Sequence, residues 1–118
     1  DMPDIQTELD FEFYSEDLPT PDLEQELWAV AWERVQALAL DHDDMIGASA
    51  AVERVEHSET PHVFLARIVA YIKPDNIVVK EKAEGPMAAL QQALDQLERQ
   101  VRKHREKRGQ PWEKPKKP

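Results

Sequence analysis

The spacing of apolar residues switches repeatedly between two periods along this chain, and this switching constrains the fold more than any other feature. Residues 5–13 alternate between apolar and polar side chains, the pattern of a strand with one buried face. Alternation returns over 45–57 and 63–72, and a shorter apolar run begins at 77. In the run over 45–57, the residues expected on the apolar face are Ile46, Ala48, Ala50 and Val52. The chain is therefore predicted to form four strands.

A first helix is predicted from Pro21 to Leu40, between the first two strands. The hydroxyl of Thr20 is placed to cap its N-terminus, and Pro21 suits the first helical position. Trp28 and Trp32, four residues apart, widen the apolar stripe of this helix. They are expected to pack in the core or at its edge.

A second helix is predicted from Gly85 and Pro86 to a stop at Gly109. Its apolar residues step by three and four positions in an unbroken seam: Met87, Leu90, Leu94, Leu97 and Val101. The order of elements predicts an α+β fold, a two-layer βαβββα sandwich with a four-stranded, mostly antiparallel sheet and two helices on one face. Double-stranded-RNA-binding modules have sheets of this kind. We expect one domain over residues 4–108 and a disordered, basic, Pro-rich tail over 109–118.

Several classes of protein are disfavoured by what the sequence lacks. The chain has no Cys, which removes disulfides, thiolate metal sites and Cys nucleophiles and fits a reducing cytoplasm. It has neither the ~18-residue apolar run of a membrane span nor a Gly-rich phosphate loop. His42, Asp43 and Asp44 resemble part of a metal site, but helix-end chemistry is the simpler interpretation. We expect a cytoplasmic protein that is not an enzyme and has no metal, cofactor, small-molecule substrate or membrane partner.

Charge is divided unequally along the chain. Residues 1–98 contain 22 Asp and Glu against 6 Lys and Arg, whereas residues 99–118 contain 2 Asp and Glu against 9 Lys and Arg. The overall net charge of -9 disfavours nucleic acid at long range, but a local basic stripe can still neutralise phosphates. The cations between Arg99 and Arg108 are more numerous than compensation of a helix dipole requires. This end of the second helix is predicted to bind a partner.

Three segments in the second half of the chain are similar to one known family. They are VERVEHS over 52–58, AEG over 83–85 and MAALQQALDQLERQVRKHREKR over 87–108. Together with the element order of residues 4–108, they resemble the ribosome hibernation promoting factors and ribosome-associated inhibitors, also called sigma-54 modulation proteins. The first helix differs from the basic first helix of that family, because Arg34 is its only cation among many acids.

The resemblance implies a protein that docks on the small ribosomal subunit, in the channel for messenger and transfer RNA, and holds the ribosome inactive under stress. The cationic positions that match the family imply contacts with 16S-type ribosomal RNA. They are Arg99, Arg102, Lys103, Arg105, Lys107 and Arg108 on the second helix and Arg54 on the second strand. Repression of translation through RNA binding by a basic C-terminal helix is the expected function.

A second hypothesis stays open from the residues alone. RNA binding by the second helix does not require the acidity of residues 1–44. This acidic half could bind a basic protein, or a half-buried sheet edge could pair with a second copy to form a homodimer. Under this hypothesis the chain is a protein-interaction or dimerisation module without ribosome binding.

Overall fold

The order of secondary-structure elements is the predicted one. A computed structural model of the protein describes residues 9–40, 42–55 and 63–109. The elements are β1 (Asp10–Glu16), α1 (Leu23–Ala39), β2 (Met45–Arg54), β3 (Val63–Ile72), β4 (Ile77–Glu84) and α2 (Pro86–Gly109). The α+β class is confirmed. The predicted strand positions 5–8 and 56–57 and the predicted tail over 110–118 lie outside the described residues.

The four strands form one sheet in the order β1-β2-β3-β4. β1 pairs with β2 in parallel, as a strand that returns through a helix must, and the other two pairings are antiparallel. The mostly antiparallel sheet, the hairpin of β3 and β4 and the interior position of β3 are therefore confirmed.

The core lies between one face of the sheet and both helices. On β3 the residues that belong to the core cluster alternate as predicted: Phe64, Ala66, Ile68, Ala70 and Ile72. α2 contributes a seam of fully buried side chains: Leu90, Leu94, Leu97 and Val101. α1 adds three more residues to the same cluster: Leu27, Ala31 and Val35. Because both helices share one cluster with one face of the sheet, the predicted two-layer arrangement is confirmed.

The start of β2 departs from the predicted alternation. A bulge lies between Met45 and Gly47, where the pairing with β3 shifts. Met45 is buried and Ile46 is 56% exposed, so the prediction that Ile46 shares the apolar face with Ala48 is wrong. The physical reason is that one extra residue in a strand moves every side chain beyond it to the other face.

The N-terminus of α1 also differs from the prediction. The helix begins at Leu23 rather than at Pro21. The N–H of Leu23 donates to the carbonyl oxygen of Thr20 at 3.3 Å, so a turn over 20–23 precedes the helix. Asp22 then occupies the capping position and makes no side-chain capping bond. The predicted cap by the hydroxyl of Thr20 is therefore wrong.

Two tryptophans cover the edge of the core beside β1. The rings of Trp28 and Trp32 stack with their centroids 6.1 Å apart. Both contact the ring of Phe11 on β1, at centroid distances of 6.2 and 5.6 Å. Trp28 remains 42% exposed, which places it at the margin of the core. Edge packing of this pair, one of the two predicted arrangements, is confirmed.

Two glycines permit local geometries that other residues would strain. Gly47 of β2 pairs with Asp10 of β1, and a Cβ at Gly47 would lie 2.8 Å from the carbonyl oxygen of Asp10. Gly85 joins β4 to α2 with a φ of 98°, which glycine adopts without a steric penalty. Its carbonyl oxygen accepts a hydrogen bond from the N–H of Ala89 at 3.2 Å. Gly85 is thus the single residue between the end of β4 and the start of α2.

Candidate nucleic-acid interface

The outer side of α2 carries a row of cations. The buried seam on the opposite side fixes the rotation of the helix against the sheet. Arg99, Lys103 and Lys107 follow one another at intervals of four residues, so their side chains lie on one face of the helix, about 6 Å apart along its axis. All three are exposed. We call these three residues the outer stripe.

The charges of the outer stripe are not neutralised by ion pairs within residues 9–40, 42–55 and 63–107. The ion pairs formed there involve Arg34 and Arg105. Arg99 donates a hydrogen bond from Nη2 to Oε1 of Gln96 at 3.1 Å, which leaves its charge uncompensated. Three exposed cations in a row therefore form a surface to which successive phosphates can bind.

Arg105 has a different environment from the outer stripe. Its Nε donates to Oδ2 of Asp44 at 2.9 Å, and its Nη2 donates to Oδ1 of the same carboxylate at 2.8 Å. The two side chains are only 19% and 12% exposed. Hydrogen bonding to the guanidinium lowers the pKa of Asp44 below its usual value of 3.8. This two-point contact ties α2 to the loop that joins α1 to β2.

A second contact holds the same end of α2. Nε2 of His104 lies 2.9 Å from the backbone carbonyl oxygen of Lys73, in the turn between β3 and β4. The last turns of α2 are therefore held at two neighbouring loops, through His104 on one side and Arg105 on the other. Such anchoring keeps the outer stripe in a fixed orientation, so a ligand need not order it on binding.

The acids that precede the stripe on α2 are engaged by α1. Arg34 donates from Nη2 to Oδ1 of Asp95 at 2.7 Å and from Nε to Oε2 of Glu98 at 2.8 Å. These contacts, chiefly the hydrogen bond to Glu98, raise the pKa of Arg34 above its ordinary value. The single cation of α1 is thus used within the fold, and it compensates two carboxylates that would otherwise repel a phosphate.

Arg102 lies on the side of α2 that faces α1. A cleft of about 490 Å³ between the C-terminal parts of the two helices is lined by Leu38, His42, Glu98, Val101, Arg102, Arg105 and Glu106. Arg102 is exposed and, within the described part of the chain, forms no ion pair. It therefore offers a fourth available cation next to the outer stripe.

Arg54 lies at the other end of the sheet. It is the last residue of β2 and pairs with Phe64, whose partner on β4 is Ala83. α2 starts beside this end, at Pro86, and at about 1.5 Å per residue Lys103 lies roughly 25 Å farther along the helix. The structure thus does not bring Arg54 together with the outer stripe. Arg108 is in the last turn of α2, and its side chain lies outside the described part.

The sequence pattern identified the cations but not their acidic partners within the fold. These partners determine which cations are engaged in ion pairs and which remain available for a ligand. Asp44 lies 61 positions before Arg105, and Glu98 lies 64 positions after Arg34. No local pattern signals contacts at such separations. The useful signal would have been the topology, because α1 and α2 both end where β2 begins.

The described residues do not form a metal site or a membrane-spanning helix. They contain no group of three or more His, Asp or Glu residues that could hold a metal ion. Two further histidines of the sequence, His57 and His62, lie outside the described residues. Within the same ranges, neither helix combines the length and the apolar character that crossing a membrane requires.

The chain is similar to known proteins in sequence and in fold. A family model described as "Sigma 54 modulation protein / S30EA ribosomal protein" matches residues 22–109. The N-terminal domain of Protein Y from Thermus thermophilus matches with a TM-score of 0.62 and 18% identity, over 81% of this chain and 98% of that one. A ribosomal subunit interface protein from Coxiella burnetii matches with a TM-score of 0.61 and 11% identity, over 82% of this chain and 98% of that one. At these identities the two structures show a shared fold. No curated protein sequence matches.

Proposed function

Because the chain belongs to the sigma-54 modulation protein and S30EA ribosomal protein family, we propose that it binds the small ribosomal subunit through α2 and represses translation. The observation that carries the proposal is the outer stripe, whose cations remain uncompensated at an anchored helix end. The ligand is 16S-type ribosomal RNA, and the protein acts in the cytoplasm during stress. Its action is occupancy of the ribosome, with no cofactor and no small-molecule substrate.

The cations of α2 have two separate roles in this proposal. Arg99, Arg102, Lys103 and Lys107 are exposed and contact phosphates. Arg105 donates two hydrogen bonds to Asp44, so its role is to position the end of the helix and not to contact RNA. This division refines the expectation from family resemblance, in which all of these cations contact RNA alike.

The two remaining predicted contacts depend on how the RNA extends beyond the stripe. Arg108 follows Lys107 directly in the sequence and adds one more cation to this end of the chain. Arg54 is exposed, but its separation from the stripe means that it would contact a different segment of RNA. Its contribution to affinity is therefore independent of the contribution of the stripe.

The acidic surface of α1 limits the area that RNA can cover. Glu24, Glu26 and Glu33 are exposed on this helix, and Arg34 is engaged by α2. Phosphate is repelled from such a surface at distances within the Debye length of about 8 Å. RNA is therefore kept away from α1, and the footprint on RNA is narrower than one that uses both helices.

Inhibition of cell-free translation tests the proposal. The wild-type protein is expected to lower the yield of a reporter in a dose-dependent way. The variant Lys103→Glu/Lys107→Glu should need a roughly tenfold higher concentration or more for the same effect, because two phosphate contacts become repulsive. Lys80→Glu/Lys82→Glu, which makes the same charge change on β4, should inhibit as the wild type does. Equal inhibition by all three proteins would show that the stripe does not mediate repression.

A further inference from the structure

One face of the sheet is left uncovered by the helices. Along β1 and β4 the side chains that point away from the core alternate with those that point toward it. Three large side chains on this outward side of the sheet are exposed: Tyr14 of β1 at 55%, Val78 of β4 at 51% and Tyr71 of β3 at 38%. We call this surface the open face. Apolar area of this kind, spread across a sheet, is typical of a surface that binds another protein.

The open face is acidic on one side and basic on the other. On the β1 side its charged residues are Asp10, Glu12, Glu16 and Glu53. On the β4 side they are the cations Arg67, Lys80 and Lys82 and one acid at the end of the strand, Glu84, so the balance of charge on this side is positive. The negative charge of Glu16, which lies on the same side of β1, is the main cause of a raised pKa at Tyr14.

The pairing of the strands places an acidic or phenolic side chain of β1 in the same row as a cation of β4 in two places. One row runs across the sheet through Glu16, Glu53, Leu65 and Lys82. The next outward row runs through Tyr14, Ala51, Arg67 and Lys80. Each row thus has its acidic or phenolic end on β1 and its cationic end on β4, about 14 Å away at the usual strand spacing.

We propose that two copies of this chain pack open face against open face, about a two-fold axis parallel to the strands. This axis reverses the order of the strands between the two copies, so that β1 of one copy faces β4 of the other. Glu16 of each copy then faces Lys82 of the other, and Tyr14 faces Lys80. The alternative axis, perpendicular to the strands, would set the acidic strands against each other. Charge complementarity therefore selects both the occupant and its symmetry.

The size of the open face fits a dimer that forms reversibly. Four strands of seven to ten residues cover roughly 500–600 Å² at usual strand dimensions, so two copies bury about 1,100 Å² in total. This area is at the lower end of specific protein interfaces. Two sheets packed face to face are separated by about 10 Å, a distance that Glu and Lys side chains reaching from opposite sheets can bridge.

The proposed dimer leaves the outer stripe accessible. The helices lie on the other side of the sheet, so the open face and the stripe are separate surfaces. Nucleic acid is a poor occupant of the open face, because its acidic side repels phosphate. Dimerisation is therefore independent of the proposed ribosome binding, and each can fail without the other.

Sedimentation equilibrium over ~5 to ~500 µM protein tests the dimer, because reversible association makes the average mass depend on concentration. The wild type is expected to shift from monomer to dimer over this range. Lys80→Glu/Lys82→Glu and Glu12→Lys/Glu16→Lys should each remain monomeric, because each makes the two edges that meet carry charge of the same sign. Lys103→Glu/Lys107→Glu is the matched control and should dimerise as the wild type does. Circular dichroism confirms that each variant is folded.

Mixing the two charge-reversed variants provides the decisive result. An equimolar mixture of Lys80→Glu/Lys82→Glu with Glu12→Lys/Glu16→Lys restores opposite charges at both pairs of facing edges, so a heterodimer is expected. A wild type that stays monomeric at ~500 µM would overturn the proposal, as would a mixture that does not associate. Dimerisation that neither double variant changes would place the interface elsewhere and would overturn it as well.

Discussion

Replacement of Arg99, Arg102, Lys103 and Lys107 by Glu is expected to abolish sedimentation of the protein with small ribosomal subunits. These side chains are exposed, and their charges are not compensated by ion pairs in the described part of the chain. If only two of them donate hydrogen bonds to phosphate, at roughly 1.5 kcal/mol each, their loss lowers the affinity by about 100-fold. Repulsion by four new carboxylates adds to this loss.

The folded structure should tolerate this replacement, so loss of binding would report on the interface. The buried seam of α2 is unchanged, and the anchors at His104 and Arg105 are kept. As a matched pair, Lys103→Glu/Lys107→Glu should bind weakly and Lys80→Glu/Lys82→Glu should bind as the wild type does. Full binding by the quadruple variant would contradict the account.

Arg105→Ala is expected to lower the free energy of unfolding by about 2–3 kcal/mol, because it leaves the carboxylate of Asp44 partly buried and unpaired. Arg102→Ala, at an exposed position three residues earlier, should change it by no more than about 0.5 kcal/mol. Urea unfolding at neutral pH measures both. A double-mutant cycle with Asp44→Ala should return a coupling energy close to the loss caused by Arg105→Ala. Equal stability of the Arg102 and Arg105 variants would contradict the anchoring role.

The same ion pair makes a defined contribution to pH dependence. The pKa of Asp44 is lower in the folded protein than its usual value of 3.8, so the folded state favours the charged carboxylate. The contribution of the pair is therefore complete above that usual value and is lost as the pH falls through the lowered folded value. The stability difference between wild type and Asp44→Asn should be constant at neutral pH and shrink below pH 3.8. A constant difference down to strongly acidic pH would show that the pair is not the cause.

Most of the fold was predictable because apolar spacing and topology agree. The seam of α2 and the alternation of β3 each point to a single buried face, and both are observed. The errors arose where backbone hydrogen bonds override local pattern. At Ile46 a bulge reverses the alternation, and at Thr20 a turn replaces the expected cap. Neither event leaves a signal in residue types, because Ile46 and Thr20 fit the predicted elements equally well.

The candidate site was predictable only as a set of cations. Their helical spacing separates the exposed Lys103 and Lys107 from the buried seam. Which cations remain available depends on partners from distant segments: Asp44 for Arg105, and Asp95 and Glu98 for Arg34. Arg54 illustrates the same limit, since its place at the far end of the sheet follows from strand register and helix direction.

The negative net charge of the chain is compatible with RNA binding, because its acidic and basic residues lie on different surfaces. Acids are concentrated on α1 and β1, whereas cations are concentrated at the end of α2. Ribosome binding requires a local basic surface and does not require a basic protein. A protein with a net charge of -9 can therefore bind RNA in one orientation, and its acidic surfaces disfavour the others.

Co-sedimentation of the wild-type protein with small ribosomal subunits at ~50 mM and ~200 mM salt tests the central claim most directly. Four phosphate contacts predict a slope of log affinity against log salt of roughly -3, and so a loss of about 100-fold in affinity over this range. The account predicts binding at the lower salt concentration that falls by this amount at the higher one. Absence of binding at ~50 mM salt, or binding that salt does not weaken, would contradict it.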